Sequence, residues 1–150
     1  AVLLAKNFIP ALVIDIETQK IFLSLAGVIV VCGHVFSVFL RFKGGKGIST
    51  LFGVLAVLNV NICICAAILW LVMFFWKHIS SLSGITMLTS LPWFFLLIPW
   101  VKNESPVWPV FFLFLLLSSL LFYKHLENLK RLLKGQEGQL SSSKNNDLHN

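Results

Sequence analysis

The sequence predicts an all-α fold: a polytopic integral membrane helical bundle with about six apolar segments, some short or kinked. Three observations lead there. Hydrophobic residues make up 57% of the 150 positions and charged residues only 12%, with a mean hydropathy of +0.88, where a water-soluble domain carries about 25% charged residues. Apolar runs recur at membrane-span length, separated by short polar breaks. Most of the lysines and arginines collect on one side when the runs are threaded back and forth. The net charge of +6 therefore speaks to orientation. No basic patch is interleaved with aromatics, so no nucleic-acid partner is expected.

In order along the chain, residues 1–14 are apolar apart from Lys6 and Asn7 and too short to span alone. There is no initiator Met and no signal peptide, and the chain opens inside an apolar run, so N-terminal sequence is expected to precede it. Residues 15–20 (DIETQK) read as a polar loop, and residues 21–40 as a span long enough to cross ~30 Å of hydrocarbon. Residues 51–76 are apolar but broken at Asn59-Val60-Asn61. A single long helix there would send Lys77 and the basic C-terminal segment to the side opposite the first basic loop. A hairpin turning near Asn59 gathers Arg41, Lys43, Lys46, Lys77, Lys124, Lys130, Arg131, Lys134 and Lys144 on the cytoplasmic side, with Lys6. Only Lys20 and Lys102 are left outside, beside Asp15, Glu17 and Glu104. The hairpin is the better reading.

Residues 80–84 (SSLSG) form a polar hinge on the cytoplasmic side. Residues 88–100 then run outward through Pro92 and Pro99, and proline kinks are tolerated in membrane bundles. Residues 102–106 make the outer loop, where Trp93, Trp100 and Trp108 suit an interfacial aromatic belt. Residues 107–123 return, and the helix continues to Gly135, a C-terminal cap. Residues 1–135 thus form one membrane domain, and the Gln-, Ser- and Asn-rich residues 136–150 a disordered cytoplasmic tail. Cys32, Cys63 and Cys65 lie in apolar runs and read as small buried hydrophobes.

Polar chemistry concentrates at span ends of one membrane side. Between Arg41 and Gly47 stand the cations Arg41, Lys43 and Lys46 with Gly44, Gly45 and Gly47. Glycines around a lysine let backbone amides turn toward an anion. The spacing is not that of a nucleotide P-loop, because Gly47 follows Lys46 where that motif needs Ser or Thr. Orientation or lipid headgroup contact accounts for the lysines equally well but not for the glycines. On the last helix, His125, Asn128, Leu129, Leu132 and Leu133 share one face at 100° per residue, while Glu127 falls among Lys130, Arg131 and Lys134. His125 is then either a site residue or an interfacial histidine at a helix end. For Glu127 a helical pair with Lys130 or Arg131 suffices. The Gly-Lys loop, the serine hinge and the His-Asn face together can enclose a phosphate beside a hydroxyl-bearing substrate.

Residues 33–50, GHVFSVFLRFKGGKGIST, resemble the loop GHxFPVFLxFKGGKGxxT of the bacterial membrane acyl-phosphate:glycerol-3-phosphate acyltransferases, with Ser37 in place of the proline. A second motif of that family, His-Arg-Glu-Asn-x-x-Arg-Leu-x-x-Gly, is matched at His125, Glu127, Asn128, Arg131, Leu132 and Gly135, with Leu126 in place of its first arginine. Lys6, Asn7 and Pro10 resemble the family's Lys-Gly-x-x-Pro, and Ser80 to Ser83 a family serine pair. The family's first span and its Ser-Gly-Asn-x-Gly-type loop, which supplies a serine and an arginine to the active site, have no counterpart in these residues.

The resemblance implies transfer of a fatty acyl group from acyl phosphate to the sn-1 hydroxyl of glycerol 3-phosphate, giving lysophosphatidic acid and phosphate in phospholipid biosynthesis. It implies no cofactor and no metal. The implied setting is the bacterial inner membrane, with the active site on the cytoplasmic side. The implied partners are both substrates, membrane lipid and the soluble enzyme that makes acyl phosphate. Phosphate binding falls to Lys43, Gly44, Gly45, Lys46 and Gly47, with Ser80 or Ser83. Catalytic roles fall to Lys46, Asn128 and His125, the last as general base or hydrogen-bond donor. His34 and Glu127 are supporting residues. No His-x-x-x-x-Asp pair is present, which argues against the acyl-CoA-dependent acyltransferases. A small transporter or anion-conducting subunit would show paired inverted repeats, and none is found. A structural membrane subunit is the third reading.

Overall fold

A computed structural model describes residues 15–42 and 44–134, and these fold as helices α1 (Ile16–Val35), α2 (Ile48–Leu58), α3 (Val60–Lys77), α4 (Ser80–Val101) and α5 (Trp108–Leu133). Lys6, Asn7, Pro10, Lys43, Gly135 and residues 136–150 lie outside the described residues. Among the described residues, four helices are long and apolar enough to cross a membrane, and α2 is a shorter apolar helix. The chain is a polytopic helical membrane protein.

Helix α1 begins earlier than the polar character of residues 15–20 suggests. Asp15 is its N-cap and accepts from the Thr18 amide at 2.9 Å, which turns DIETQK into a first helical turn instead of a loop. It also ends earlier, at Val35. Phe36 closes the helix on the Cys32 carbonyl, and Val38–Leu40 form a single 3₁₀ turn. Ser37 O accepts from both Leu40 and Phe42 amides, and Arg41 and Phe42 follow with φ of 49° and 62°. The span expected over residues 21–40 is therefore a helix plus a tight, aromatic-rich turn in which Phe39 is 98% exposed.

The break at Asn59 is a true reversal. Its amide donates to Leu55 O and so ends α2, while its side-chain oxygen accepts from Asn61 and Ile62 amides and so starts α3. Cys63 Sγ then comes within 3.6 Å of Phe52 O, eleven residues back, which a continuous helix would hold about 16 Å away.

The hinge after α3 is not the serine run. His78 (φ 54°) caps α3, Ile79 is the N-cap of α4, and Ser80 to Gly84 form the first turn of that helix. Helix α4 runs through Pro92 and Pro99 without interruption. Its hydroxyls bond locally in the manner usual for spans: Ser83 to Ile79 O, Thr86 to Leu82 O, and Ser90 to Thr86 O.

The core lies where α1, α2, α4 and α5 meet. Val31, Val35, Leu51, Leu55, Met87, Leu88, Leu91, Phe114, Leu117 and Leu121 are all buried, with Phe95 stacked on Phe114 at 4.2 Å. Helix α3 buries only Ile62 and Ala66 and presents Ile64, Ile68, Leu71, Val72 and Phe75 outward, as a lipid-facing helix does. A small cavity of about 110 Å³ gathers Lys20, Asn59 and Glu104 at one end of the bundle. The Gly-Lys loop, Ser80 and His125 meet at the other.

Candidate active site

A cavity of about 640 Å³ opens at that second end. Two helices begin at its edge. Helix α2 starts after Gly47, whose φ of 77° is open to glycine at little cost, and α4 starts after Ile79; neither N-cap has a side-chain hydrogen bond. The first-turn amides of a helix have no intrahelical acceptor and carry the positive end of its dipole. Both ends thus offer donors to an anion. Lys46 and Arg131 also line the cavity, and among the described residues no Asp or Glu lines it.

Helix α5 supplies the opposite wall. His125 is 3% and Asn128 4% exposed, whereas Glu127 is exposed on the outer face. His125 Nδ1 lies 2.8 Å from the Leu121 carbonyl, which can only accept, so Nδ1 carries a proton and Nε2 holds the lone pair in the neutral ring. Gly84 of α4 stands opposite: a Cβ built there would come within 3.7 Å of Nε2.

Asn128 Oδ1 accepts from the Arg131 guanidinium at 3.5 Å. The helical wheel assigned Arg131 to the outer face with Glu127, but Arg131 follows Asn128 by three residues, and its long side chain wraps back into the cavity. Leu133, expected inward, is 79% exposed.

The glycines of the loop serve two purposes. Gly47 lines the cavity. Gly44 and Gly45 do not, because they pack against the end of α1. A Cβ on Gly44 would overlap the His34 carbonyl oxygen and stand 2.7 Å from that of Val35; one on Gly45 would overlap His34 Nε2. Close approach to α1 thus explains these two glycines, and it leaves the next residue, Lys46, at the cavity.

His34 and Ser80 line the cavity too. Ser83 does not: it is fully buried, and its hydroxyl donates to Ile79 O at 3.0 Å. Ser81 lies on the lining in its place, together with Ser49 and Trp70, which sequence reasoning missed. Ser81 was hidden by the ambiguity of a serine-rich first turn, and Trp70 by its position mid-span. Among the described residues, no three His, Cys, Asp or Glu side chains cluster to hold a metal ion.

The sequence profile of the glycerol-3-phosphate acyltransferase family matches residues 1–135. The chain belongs to that family. It is 34% identical over 134 residues to a glycerol-3-phosphate acyltransferase of Aquifex aeolicus, covering 88% of this chain and 67% of that protein. It is 40% identical over 122 residues to one of Nitratiruptor, covering 79% and 55% respectively. Two crystal structures of the integral membrane acyltransferase PlsY share the fold. The glycerol 3-phosphate form superposes with a TM-score of 0.68 at 34% identity, over 79% of this chain and 56% of that one. The lysophosphatidic acid form gives 0.64 at 29% identity, over 82% and 69%. The chain thus spans from about half to about two thirds of the length of these family members.

Proposed function

We propose that the protein transfers a fatty acyl group from acyl phosphate to the sn-1 hydroxyl of glycerol 3-phosphate, giving lysophosphatidic acid and phosphate. The observation that carries this reading is the convergence of two uncapped helix N-termini, Lys46 and Arg131 on one cavity that also holds His125 and Asn128. Such a wall suits phosphate groups, and both substrates carry one. Family membership and the glycerol 3-phosphate named for the PlsY relative support the acceptor.

In the proposed reaction the acceptor hydroxyl attacks the acyl carbonyl, the new ester C–O bond forms, and the acyl C–O bond to phosphate breaks. An acyl phosphate is already activated, so the protein has to position the reactants and neutralise phosphate charge. Lys46 and the amides at the start of α2 hold one phosphate, Ser80 or Ser81 with the start of α4 the other, and Arg131 serves between them. Asn128 orients a substrate oxygen. The hydroxyl proton passes either to His125 Nε2, which the Leu121 bond keeps as acceptor in the neutral ring, or to the departing phosphate. We also infer that the cavity faces the cytoplasm of a bacterial inner membrane. The support is the charge bias: Arg41, Lys46, Lys77, Lys124, Lys130, Arg131 and Lys134 lie toward the cavity end, against Lys20 and Lys102 at the other.

The test supplies the protein, reconstituted in vesicles, with labelled glycerol 3-phosphate and either acyl phosphate or acyl-CoA. Labelled lysophosphatidic acid is expected with acyl phosphate alone. Equal use of acyl-CoA would overturn the donor assignment. Failure of unlabelled glycerol 3-phosphate to protect Lys46 from amine-reactive labelling would overturn the acceptor site.

A further inference from the structure

Trp70 lines the 640 Å³ cavity, yet the proposed reaction gives it nothing to do. Ile48, Trp70 and Ile79 are the bulky apolar side chains on the lining among the described residues. Ile48 opens α2 and Ile79 is the N-cap of α4, so both sit at span ends. Trp70 is deeper. It lies seven residues before Lys77, the end of α3, or about 10 Å along the helix. Gly84, which faces His125 Nε2, lies four residues into α4, or about 6 Å. Both helices are counted from the same two-residue turn, so the indole stands about 4 Å deeper in the membrane than the His125–Gly84 pair.

A chain attached at the His125 end has one way on from there. Inward, Leu51, Met87, Leu88 and Leu121 are fully buried and leave no path. Alongside Trp70, by contrast, Ile68, Leu71 and Val72 of α3 are exposed to lipid. Trp70 itself is half-buried and packs against the core, and its ring is stacked on Phe74 at 5.1 Å and 8°. A ring held in this way does not swing aside for a passing substituent. Carbon–carbon bonds of about 1.5 Å in a zigzag advance roughly 1.25 Å per carbon, so 4 Å brings the indole to about the fourth carbon of the chain.

We propose that Trp70 selects the acyl donor by the shape of its first carbons. A straight chain passes the indole into the bilayer. A methyl branch near the fourth carbon meets the ring and is refused, whereas a branch at the far end lies in lipid and is accepted. The inference rests on the acyl-transfer reading and adds to it which donors the site admits.

The experiment is internal competition in vesicles carrying the protein. Hexadecanoyl phosphate competes with its 4-methyl or its 15-methyl homologue for glycerol 3-phosphate, and the lysophosphatidic acids are counted by mass spectrometry. The product ratio does not depend on how much protein is folded. The parent is expected to favour the straight chain about tenfold over the 4-methyl chain, the size of one misplaced methyl in an apolar site, and to use the 15-methyl chain about equally. Trp70→Ala should bring the 4-methyl ratio close to one, with Trp70→Phe in between; Trp70→Phe also covers the case in which Trp70→Ala does not fold. The same three chains on a non-transferable acyl phosphonate are ranked by calorimetry, so chain selection is read even without turnover. Failure of transfer with intact selection would count against the acyl-transfer reading alone. Equal use of the 4-methyl chain by the parent, or discrimination that survives in both Trp70 variants, would overturn the proposal.

Discussion

Replacing Gly44 with alanine tests whether the Gly-Lys loop owes its shape to close packing on α1. The added Cβ would overlap the His34 carbonyl oxygen and stand 2.7 Å from the Val35 oxygen and 2.9 Å from its carbon. These are backbone atoms at the end of a helix, so they cannot rotate aside. Because the overlap with the His34 oxygen is the tightest of these, restoring an ordinary separation of about 3.5 Å requires the loop to move by more than about 1 Å. Overpacking of this kind costs about 1–3 kcal/mol. The same displacement carries Lys46 away from the cavity, and misplacement of about 1 Å can cost on the order of a hundredfold in rate. Gly53→Ala is the control, because nothing lies within 4 Å of its Cβ and it sits inside α2. There alanine should stabilise by about 0.5–1 kcal/mol. Gly45→Ala should be intermediate, since it meets only the side chain of His34, which is exposed and can turn. Thermal unfolding in detergent and acyl transfer are measured on all three variants. If Gly44→Ala keeps both stability and activity while Gly53→Ala loses either, the packing account of the loop is wrong.

Four further outcomes are expected. Lys46→Ala should weaken glycerol 3-phosphate binding by about 1.5–3 kcal/mol, the size of a charge-assisted hydrogen bond, read by calorimetry with unchanged helical content. His125→Ala and Asn128→Ala should depress turnover at near-constant thermal stability, whereas Glu127→Ala, on the exposed face, should retain it; the reverse pattern would require α5 to be rotated by about half a turn. Asn59→Ala should destabilise by about 1 kcal/mol, because α3 loses the side chain that accepts its first amides; thermal unfolding measures this. Bonds from the Thr18 hydroxyl and amide hold the Asp15 carboxyl below the usual aspartate range. Because the folded value is depressed, the cap's contribution is present above the unfolded aspartate value and fades as pH falls through the folded one. Stability between pH 5 and pH 2 should therefore fall less steeply in Asp15→Asn, about in the range where carboxylates titrate.

What the sequence made legible was whatever periodicity or charge bias encodes. The reversal at Asn59 followed from where Lys77 had to lie, and the inward turn of His125 and Asn128 from 100° per residue. Boundaries were less legible, since polarity alone does not separate a loop from a capped first turn: DIETQK and SSLSG are both helical. The loop's Gly44 and Gly45 were read as anion-facing because their use against the His34 and Val35 carbonyls depends on a tertiary contact that no local pattern announces. Arg131 was missed for a different reason. A helical wheel tracks Cα directions, and a side chain of that length can wrap around the helix to Asn128.

The double use of Asn59 bears on how α3 finds its angular setting. In water, an amphipathic stripe would fix which side of a helix turns inward. Helix α3 has no such stripe: Ile64, Ile68 and Leu71 face outward just as Ile62 and Ala66 face inward. Lipid is as content with one set as with the other, so hydrophobicity leaves the rotation about the helix axis nearly undetermined. The joint supplies it. Asn59 is the last link of α2 and the first of α3, so the phase of one helix is geared directly to the other. Inserting a single residue there would turn α3 by about 100° without placing one polar side chain in lipid. Ile62 and Ala66 would swing away from the core all the same.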